Sequence, residues 1–105
     1  MTRWRTEDTD TFFRAVLSLR TMEDCYAFFG DACTATEVRE MSRRLKVAQL
    51  LREGLSYNTV HQMTGVSTAT ISRVSGCLSY GDQGYQMVLA RIGGADDDGQ
   101  DDSQA

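Results

Sequence analysis

The chain has 105 residues, enough for one domain with a modest core, and 41% of them are hydrophobic, as in a globular protein. No apolar run approaches the roughly 20 residues that span a bilayer. The polar segment Met1 to Asp10 also lacks the apolar stretch of a signal peptide. These features argue against a membrane protein and predict a cytoplasmic one.

The content of cysteine and histidine argues against a metal site. Cys25, Cys33 and Cys77 show no C-x-x-C spacing, and His61 is the single histidine. A tetrahedral zinc site needs four well-placed ligands, so we predict that no metal binds. We expect the three thiols to be reduced and mostly buried.

The net charge of −4 conceals an uneven distribution. Residues 93–105 hold five aspartates and no lysine or arginine. Residues 34–78 instead carry six basic and three acidic residues, a balance of +3. A basic middle with an acidic end is compatible with a surface that faces the phosphates of a nucleic acid.

Apolar residues recur at helical rather than strand spacing throughout the chain, which contains no proline. We therefore predict one all-α domain over residues 10–92. Residues 1–9 are expected to be flexible. The acidic tail, residues 93–105, is expected to be disordered, because it has too little apolar surface to offset the entropy of ordering.

The first three helices are indicated by apolar spacing and by capping signals. The first helix is marked by Phe12, Phe13, Val16, Leu17 and Leu19. A second is expected to start at the pair Thr21 and Asp24 and to stop at Gly30. The third starts at a capping box of Thr34 and Glu37. Its predicted apolar stripe comprises Val38, Met41, Leu45, Ala48, Leu51 and Leu55.

Two further features of the third helix follow from local rules. Glu40 is expected to pair with Arg44 one helical turn later. Gly54 can adopt the left-handed backbone conformation that ends a helix.

Residues 56–78 show the pattern of a helix-turn-helix. Ser56 can cap a short helix, and Gly65 supplies the positive φ that a sharp turn requires. Ser67 can cap a second helix by accepting a hydrogen bond from the backbone of Thr70. The inward positions are expected to be Val60, Met63, Val66, Ile71, Val74 and Leu78.

The start of this second helix suits a DNA major groove. Small hydroxyl and methyl side chains can enter a groove about 12 Å wide and meet base edges. We expect base reading by Thr68, Ala69, Thr70 and Ser72. Phosphate contacts are expected from Arg52, Ser56, Asn58, Ser67 and Arg73. His61 is expected to bend outward, toward phosphate or solvent.

A last helix is predicted after the glycine-containing segment Tyr80–Gly84. Its apolar face is expected to consist of Tyr85, Val88, Leu89 and Ile92. The pair Gly93 and Gly94 is expected to end it.

Three segments together resemble the YerC/YecD-type proteins, which are related to the Trp repressor. They are the helix over 34–55, the segment TGVSTATISR at 64–73 and the segment CLSYGDQGYQMVLAR at 77–91. The last of these is much more specific to the group than TATISR, which is common in helix-turn-helix proteins. The resemblance implies an intertwined, all-helical homodimer of Trp repressor fold, whose two reading heads lie about one DNA turn apart.

The resemblance also raises the question of a small-molecule ligand. In Trp repressors an indole lies between two arginines, and Arg44 and Arg73 match them, while Thr34 matches a residue near the ligand. Val74 stands where these proteins usually have glycine, and Cys77 replaces a serine that supports the amino group of the ligand. Tryptophan is therefore not expected, no other cofactor is predicted, and a different small-molecule co-repressor is left open.

We therefore predict a sequence-specific transcriptional regulator, a repressor, that binds double-stranded DNA as a homodimer. The alternative is a protein-interaction module with the same fold and weak or lost DNA binding, which the acidic tail and the negative total charge would suit. An enzyme is not expected, because the sequence lacks the residue constellations of nucleophilic and acid–base catalysis.

Overall fold

The computed structural model describes residues 4–99, with side chains for residues 4–93. The described part of the chain contains six helices and no strand, which confirms the predicted all-α class. They are α1 (Glu7–Leu17), α2 (Met22–Ala32), α3 (Ala35–Arg52), α4 (Tyr57–Thr64), α5 (Thr68–Tyr80) and α6 (Gly84–Gly99). None of these helices is both long and apolar enough to cross a membrane. The chain divides into two compact units, between Val38 and Arg39.

The first helix starts earlier than the predicted domain boundary at residue 10. The Thr9 N–H donates to Oγ1 of Thr6 (3.1 Å), and the Thr6 N–H donates to Oγ1 of Thr9 (2.7 Å). This reciprocal capping box satisfies two backbone donors at the start of α1. This capping box consists of two threonines, whose short polar side chains do not appear in a pattern of apolar spacing. Residues 1–3 of the predicted flexible segment lie outside the described residues.

The second helix begins as predicted and ends later. The Asp24 N–H donates to Oγ1 of Thr21 (2.9 Å), and the Asp24 carboxylate accepts from the Arg20 N–H (3.0 Å). The helix then continues through Gly30 to Ala32. The predicted stop at Gly30 is wrong, because a glycine costs a helix about 1 kcal/mol but keeps its backbone N–H donor.

The first unit holds an aromatic cluster without a closed core. The ring of Phe12 lies 5.7 Å from that of Phe28 and 6.4 Å from that of Phe29, measured between centroids. Nevertheless α1 and α2, which the structure describes completely, contain no buried residue. Phe13 is exposed, and Leu17 keeps 83% of its surface accessible. The aromatic residues therefore contact one another but leave much of their surface open.

The ends of α3 are those predicted from its caps. The Thr34 N–H donates to Oε1 of Glu37 (2.8 Å), and the Glu37 N–H donates to Oγ1 of Thr34 (3.1 Å). Gly54 has a φ of +92° just after the helix. The predicted ion pair is wrong in its partner, because Glu40 lies 3.4 Å from Arg43 rather than pairing with Arg44. Both side chains of the observed pair are exposed, so solvent screens it strongly.

The buried face of α3 differs from the predicted stripe. Val47, Ala48 and Leu50 are its buried residues, and only Ala48 belongs to that stripe. Met41, which was expected to point inward, is exposed. The predicted stripe contains the apolar residues that recur at steps of three and four along the helix. Whether each of them is buried depends instead on which other helices pack against it.

One core joins the helices of the second unit. Its buried members are Val47, Ala48, Leu50, Val60, Val66, Ile71, Val74 and Leu89. Partly buried neighbours are Leu45, Leu51, Leu55, Leu78 and Tyr85. A fully buried aliphatic side chain of this size stabilises the fold by about 1.5–3 kcal/mol. Because the core contains residues from α3, α4, α5 and α6, it fixes the helix-turn-helix on its support.

The last helix agrees with the prediction at its start and at two of the four residues of its predicted apolar face. Leu89 is buried and Tyr85 is half-buried, whereas Val88 and Ile92 are exposed in this single chain. The helix end predicted at Gly93 is also wrong, because α6 continues to Gly99. Residues 100–105 lie outside the described residues, so the disorder predicted for the acidic tail stays a prediction there.

A close backbone approach makes Gly81 a test of the α5–α6 connection. Its N–H donates to the carbonyl oxygen of Cys77 (2.9 Å), and a Cβ at this position would lie only 2.5 Å from the same oxygen. We expect Gly81→Ala to lower the free energy of unfolding by about 1–3 kcal/mol, measured by urea denaturation. Gly84→Ala is the matched control, because no atom lies within 4 Å of its Cβ position. Equal stability of the two variants would contradict the close approach.

Candidate nucleic-acid interface

The predicted caps of α4 and α5 are both confirmed. Oγ of Ser56 accepts from the Thr59 N–H (3.1 Å) at the start of α4. Oγ of Ser67 accepts from the Thr70 N–H (3.2 Å) at the start of α5. Residues 65–67 connect the two helices. The result is a helix–turn–helix in which both helix starts are defined by a serine.

Hydrogen bonds from α4 hold the turn in one conformation. Gly65 has a φ of +74°, as predicted, and its N–H donates to the carbonyl oxygen of His61 (2.8 Å). The Thr64 hydroxyl donates to the carbonyl oxygen of Val60 (2.7 Å) and accepts from the Val66 N–H (3.1 Å). The N–H groups of Gly65 and Val66 therefore both have partners within the protein, which favours one fixed geometry of the turn.

The position of His61 is the main departure from the predicted motif. Its Nδ1 lies 2.7 Å from the carbonyl oxygen of Val66, in a partly buried hydrogen bond. His61 is exposed as a whole, which agrees with the expected outward position. Its Nδ1, however, bonds to the turn instead of facing phosphate or solvent. The residue type at position 61 does not by itself indicate an acceptor five residues later in the chain.

Four of the six predicted inward residues are buried. Val60 and Ile71 are completely buried, and Val66 and Val74 nearly so. Leu78 is half-buried and packs against the same core. Met63 is wrong as an inward residue, because 59% of its surface is exposed. Val60 is the single buried residue of the eight-residue α4.

The residues predicted to read bases lie at the start of α5. Thr68, Ala69 and Ser72 are exposed. Thr70 is half-buried, and its Oγ1 accepts from the Ser67 hydroxyl (3.1 Å). Thr70 therefore takes part in the helix cap, a contribution that the sequence pattern did not reveal.

The residues predicted to contact phosphate divide into two groups. Arg52, Asn58 and Arg73 have exposed side chains. The hydroxyls of Ser56 and Ser67 instead bond within the protein, as donor and as acceptor. Next to each serine lies a helix start, whose first N–H groups lack intrahelical partners and could donate to a phosphate.

The four residues predicted for an effector pocket occupy different elements. Thr34 caps α3 in the first unit, and Arg44 is half-buried on the same helix in the second. Arg73 and Cys77 lie one turn apart on α5, and both are exposed. The predicted burial of the cysteines is therefore wrong for Cys77, which lies outside the buried face of α5. The effector pocket itself stays a prediction.

Sequence relatives identify the family. The family described as Trp repressor protein matches residues 7–93, a range that begins where α1 begins. YerC of Bacillus subtilis (strain 168), described as uncharacterized, is 48% identical over 88 residues, covering 84% of this chain and 85% of YerC. This chain belongs to the Trp repressor family. Membership confirms the resemblance found in the sequence.

Solved structures of the Trp repressor family share the fold. A TrpR-like protein from Eubacterium eligens ATCC 27750 has a TM-score of 0.82 and 44% identity, covering 85% of this chain and 92% of that one. A Staphylococcus aureus protein described as a candidate Trp repressor has a TM-score of 0.81 and 44% identity, covering 85% of this chain and 89% of that one. The Trp repressor fold is a regulatory DNA-binding fold, so the prediction of a non-enzymatic protein is confirmed.

The turn of this Trp repressor-family protein can be tested at Gly65. A residue with a Cβ pays about 1–2 kcal/mol to adopt a left-handed backbone conformation such as the φ of +74° seen here. No atom lies within 4 Å of the Cβ position, so contact with neighbours adds nothing to this cost. We expect Gly65→Ala to lose that free energy of unfolding in urea denaturation. Gly65→Asn should lose less free energy of unfolding, because asparagine tolerates this conformation. An equal loss in the two variants would argue against a left-handed conformation at residue 65.

Proposed function

We propose that this protein is a sequence-specific transcriptional regulator that binds double-stranded DNA as a homodimer through α4 and α5. The observation that carries the proposal is the exposed first turn of α5, which is small and hydroxylated. Ile71 and Val74 seat that turn on a buried core, and the Ser67 cap defines its start. An exposed helix start on a rigid support is the geometry that enters a major groove.

The chemistry of the exposed side chains suits DNA. Thr68 and Ser72 offer hydroxyls, which can donate to or accept from base edges, and the methyl group of Ala69 can contact thymine. Arg52 and Arg73 are exposed cations on either side of this turn in the sequence. In such interfaces the cations set affinity and register, whereas base contacts set specificity.

A homodimer is supported by apolar surface that the single chain leaves open. The exposed apolar residues of the first unit include Trp4, Phe12, Phe13, Leu17, Met22 and Tyr26. In the second unit Val88 and Ile92 of α6 are exposed as well. Large exposed apolar patches mark interaction sites in soluble proteins. A second copy of the chain would cover such surface and supply a second reading head related by two-fold symmetry.

Repression is the regulatory effect that we propose. It follows the family, of which the Staphylococcus aureus structure is described as a candidate Trp repressor. Cytoplasmic location belongs to the same proposal, because a bacterial-type repressor works on DNA in that compartment.

The test is selection of bound sequences from a random pool of double-stranded DNA, at a stated moderate salt concentration. We expect enrichment of a palindromic motif whose half-sites lie about one helical turn apart. Light scattering of the free protein should give twice the chain mass of 11.7 kDa.

A second preparation tests the acidic tail. Its five aspartates, Asp96, Asp97, Asp98, Asp101 and Asp102, are replaced by asparagine in the full-length chain. Stronger DNA binding by this variant would assign the tail an autoinhibitory role. No enrichment from either preparation would reject DNA reading and favour the protein-interaction module.

A matched pair of substitutions tests the role of Thr70. In Thr70→Asp the carboxylate occupies the third helical position, where the Ser67 cap and the helix dipole tolerate it. The same charge would face DNA phosphates and base acceptors, so we expect specific binding to be abolished while circular dichroism stays unchanged. Thr70→Asn has nearly the same size without the charge and should retain measurable binding. Undiminished affinity of Thr70→Asp for the selected sequence would remove Thr70 from the interface.

A further inference from the structure

We propose that His61 is a positioning residue: its imidazole, as the Nδ1–H tautomer, ties α4 to the residue that precedes the α5 cap and thereby sets the orientation of α5. The part that concerns DNA rests on the function proposed above. The hydrogen bond itself does not, and it can be tested on the free protein.

The acceptor of this hydrogen bond points to one tautomer of the His61 ring. Nδ1 of His61 lies 2.7 Å from the carbonyl oxygen of Val66. A carbonyl oxygen can only accept, so the shared proton belongs to Nδ1. A neutral imidazole carries one N–H, which leaves Nε2 without a proton.

Val66, which supplies the acceptor, is fixed by its side chain and by both of its backbone polar groups. The side chain of Val66 is buried in the core of the second unit. Its N–H donates to the Thr64 hydroxyl (3.1 Å), and its carbonyl oxygen accepts from His61. Both of these partners are side chains of α4. The polar groups of Val66 are thus fixed by the helix that precedes the turn.

The next residue along the chain transmits this constraint to α5. Ser67 follows Val66 directly and is the N-cap of α5, with its hydroxyl bonded to the backbone of Thr70. A rotation of the peptide between Val66 and Ser67 would change the direction in which α5 leaves the turn. The bond from His61 to the carbonyl of that peptide opposes this rotation. His61 therefore acts on DNA reading through Val66 and need not touch DNA itself.

The tautomer can be measured directly, since His61 is the only histidine of the chain. Long-range ¹H–¹⁵N correlation spectra of the imidazole are recorded on the full-length free protein in mildly alkaline buffer, where histidine is neutral. We expect Nδ1 to show the chemical shift of a protonated ring nitrogen and Nε2 that of an unprotonated one. The opposite pattern, or averaging between the two tautomers, would overturn the proposed bond.

Two amide substitutions separate this role from a phosphate contact. His61→Asn places an amide N–H close to the position of Nδ1, whereas His61→Gln places one close to Nε2. We expect His61→Asn to keep most of the affinity for the selected DNA. His61→Gln and His61→Ala should each lose about fivefold or more, the value of one hydrogen bond to a partly buried carbonyl.

The possible outcomes lead to different conclusions. Rescue by glutamine rather than asparagine would assign His61 to a phosphate contact through Nε2 and overturn the proposal. Equal affinity of all four proteins would also overturn it. Circular dichroism identifies any variant that does not fold, and the spectrum of the wild-type imidazole decides the bond without a substitution. If the wild-type protein selects no DNA, the proposed function fails, while the tautomer and the thermal stability of His61→Asn relative to His61→Gln still test the bond.

Discussion

Burial of Ile71 and Val74 in a core shared with α3 is the interaction on which the second unit depends. These two side chains lie on the inner face of α5 and hold its opposite face toward solvent. Apolar burial has no preferred direction, so it supplies stability without determining how the helix is aimed. A helix that reads DNA needs both a rigid support and a defined orientation.

The orientation comes from polar groups around the turn. Gly65 allows the reversal of the chain, Thr64 holds the N–H of Val66, and His61 holds its carbonyl oxygen. Directional hydrogen bonds thus complement the non-directional core. The core and the hydrogen bonds of the turn together fix the position of the exposed start of α5. The geometry of the turn and membership in the Trp repressor family therefore support the same function.

The first unit follows a different physical rule. Phe12, Phe28 and Phe29 contact one another at centroid distances typical of aromatic pairs. Yet α1 and α2, described throughout, have no buried residue, so these contacts remove the apolar side chains from water only in part. Aromatic surface left open in this way is the physical basis for proposing that a second copy completes the core.

The sequence by itself determined several features that depend only on neighbours within one helical turn. The capping box of Thr34 and Glu37, the serine caps of α4 and α5 and the left-handed Gly65 are all of this kind, because a cap or a tight turn involves only a few consecutive residues. Only the tertiary structure decided that Val47 is buried while Met63 is exposed, and that His61 bonds to Val66. Those outcomes depend on which side chains and carbonyl groups the folded chain brings within contact distance, and spacing along one helix does not contain that information.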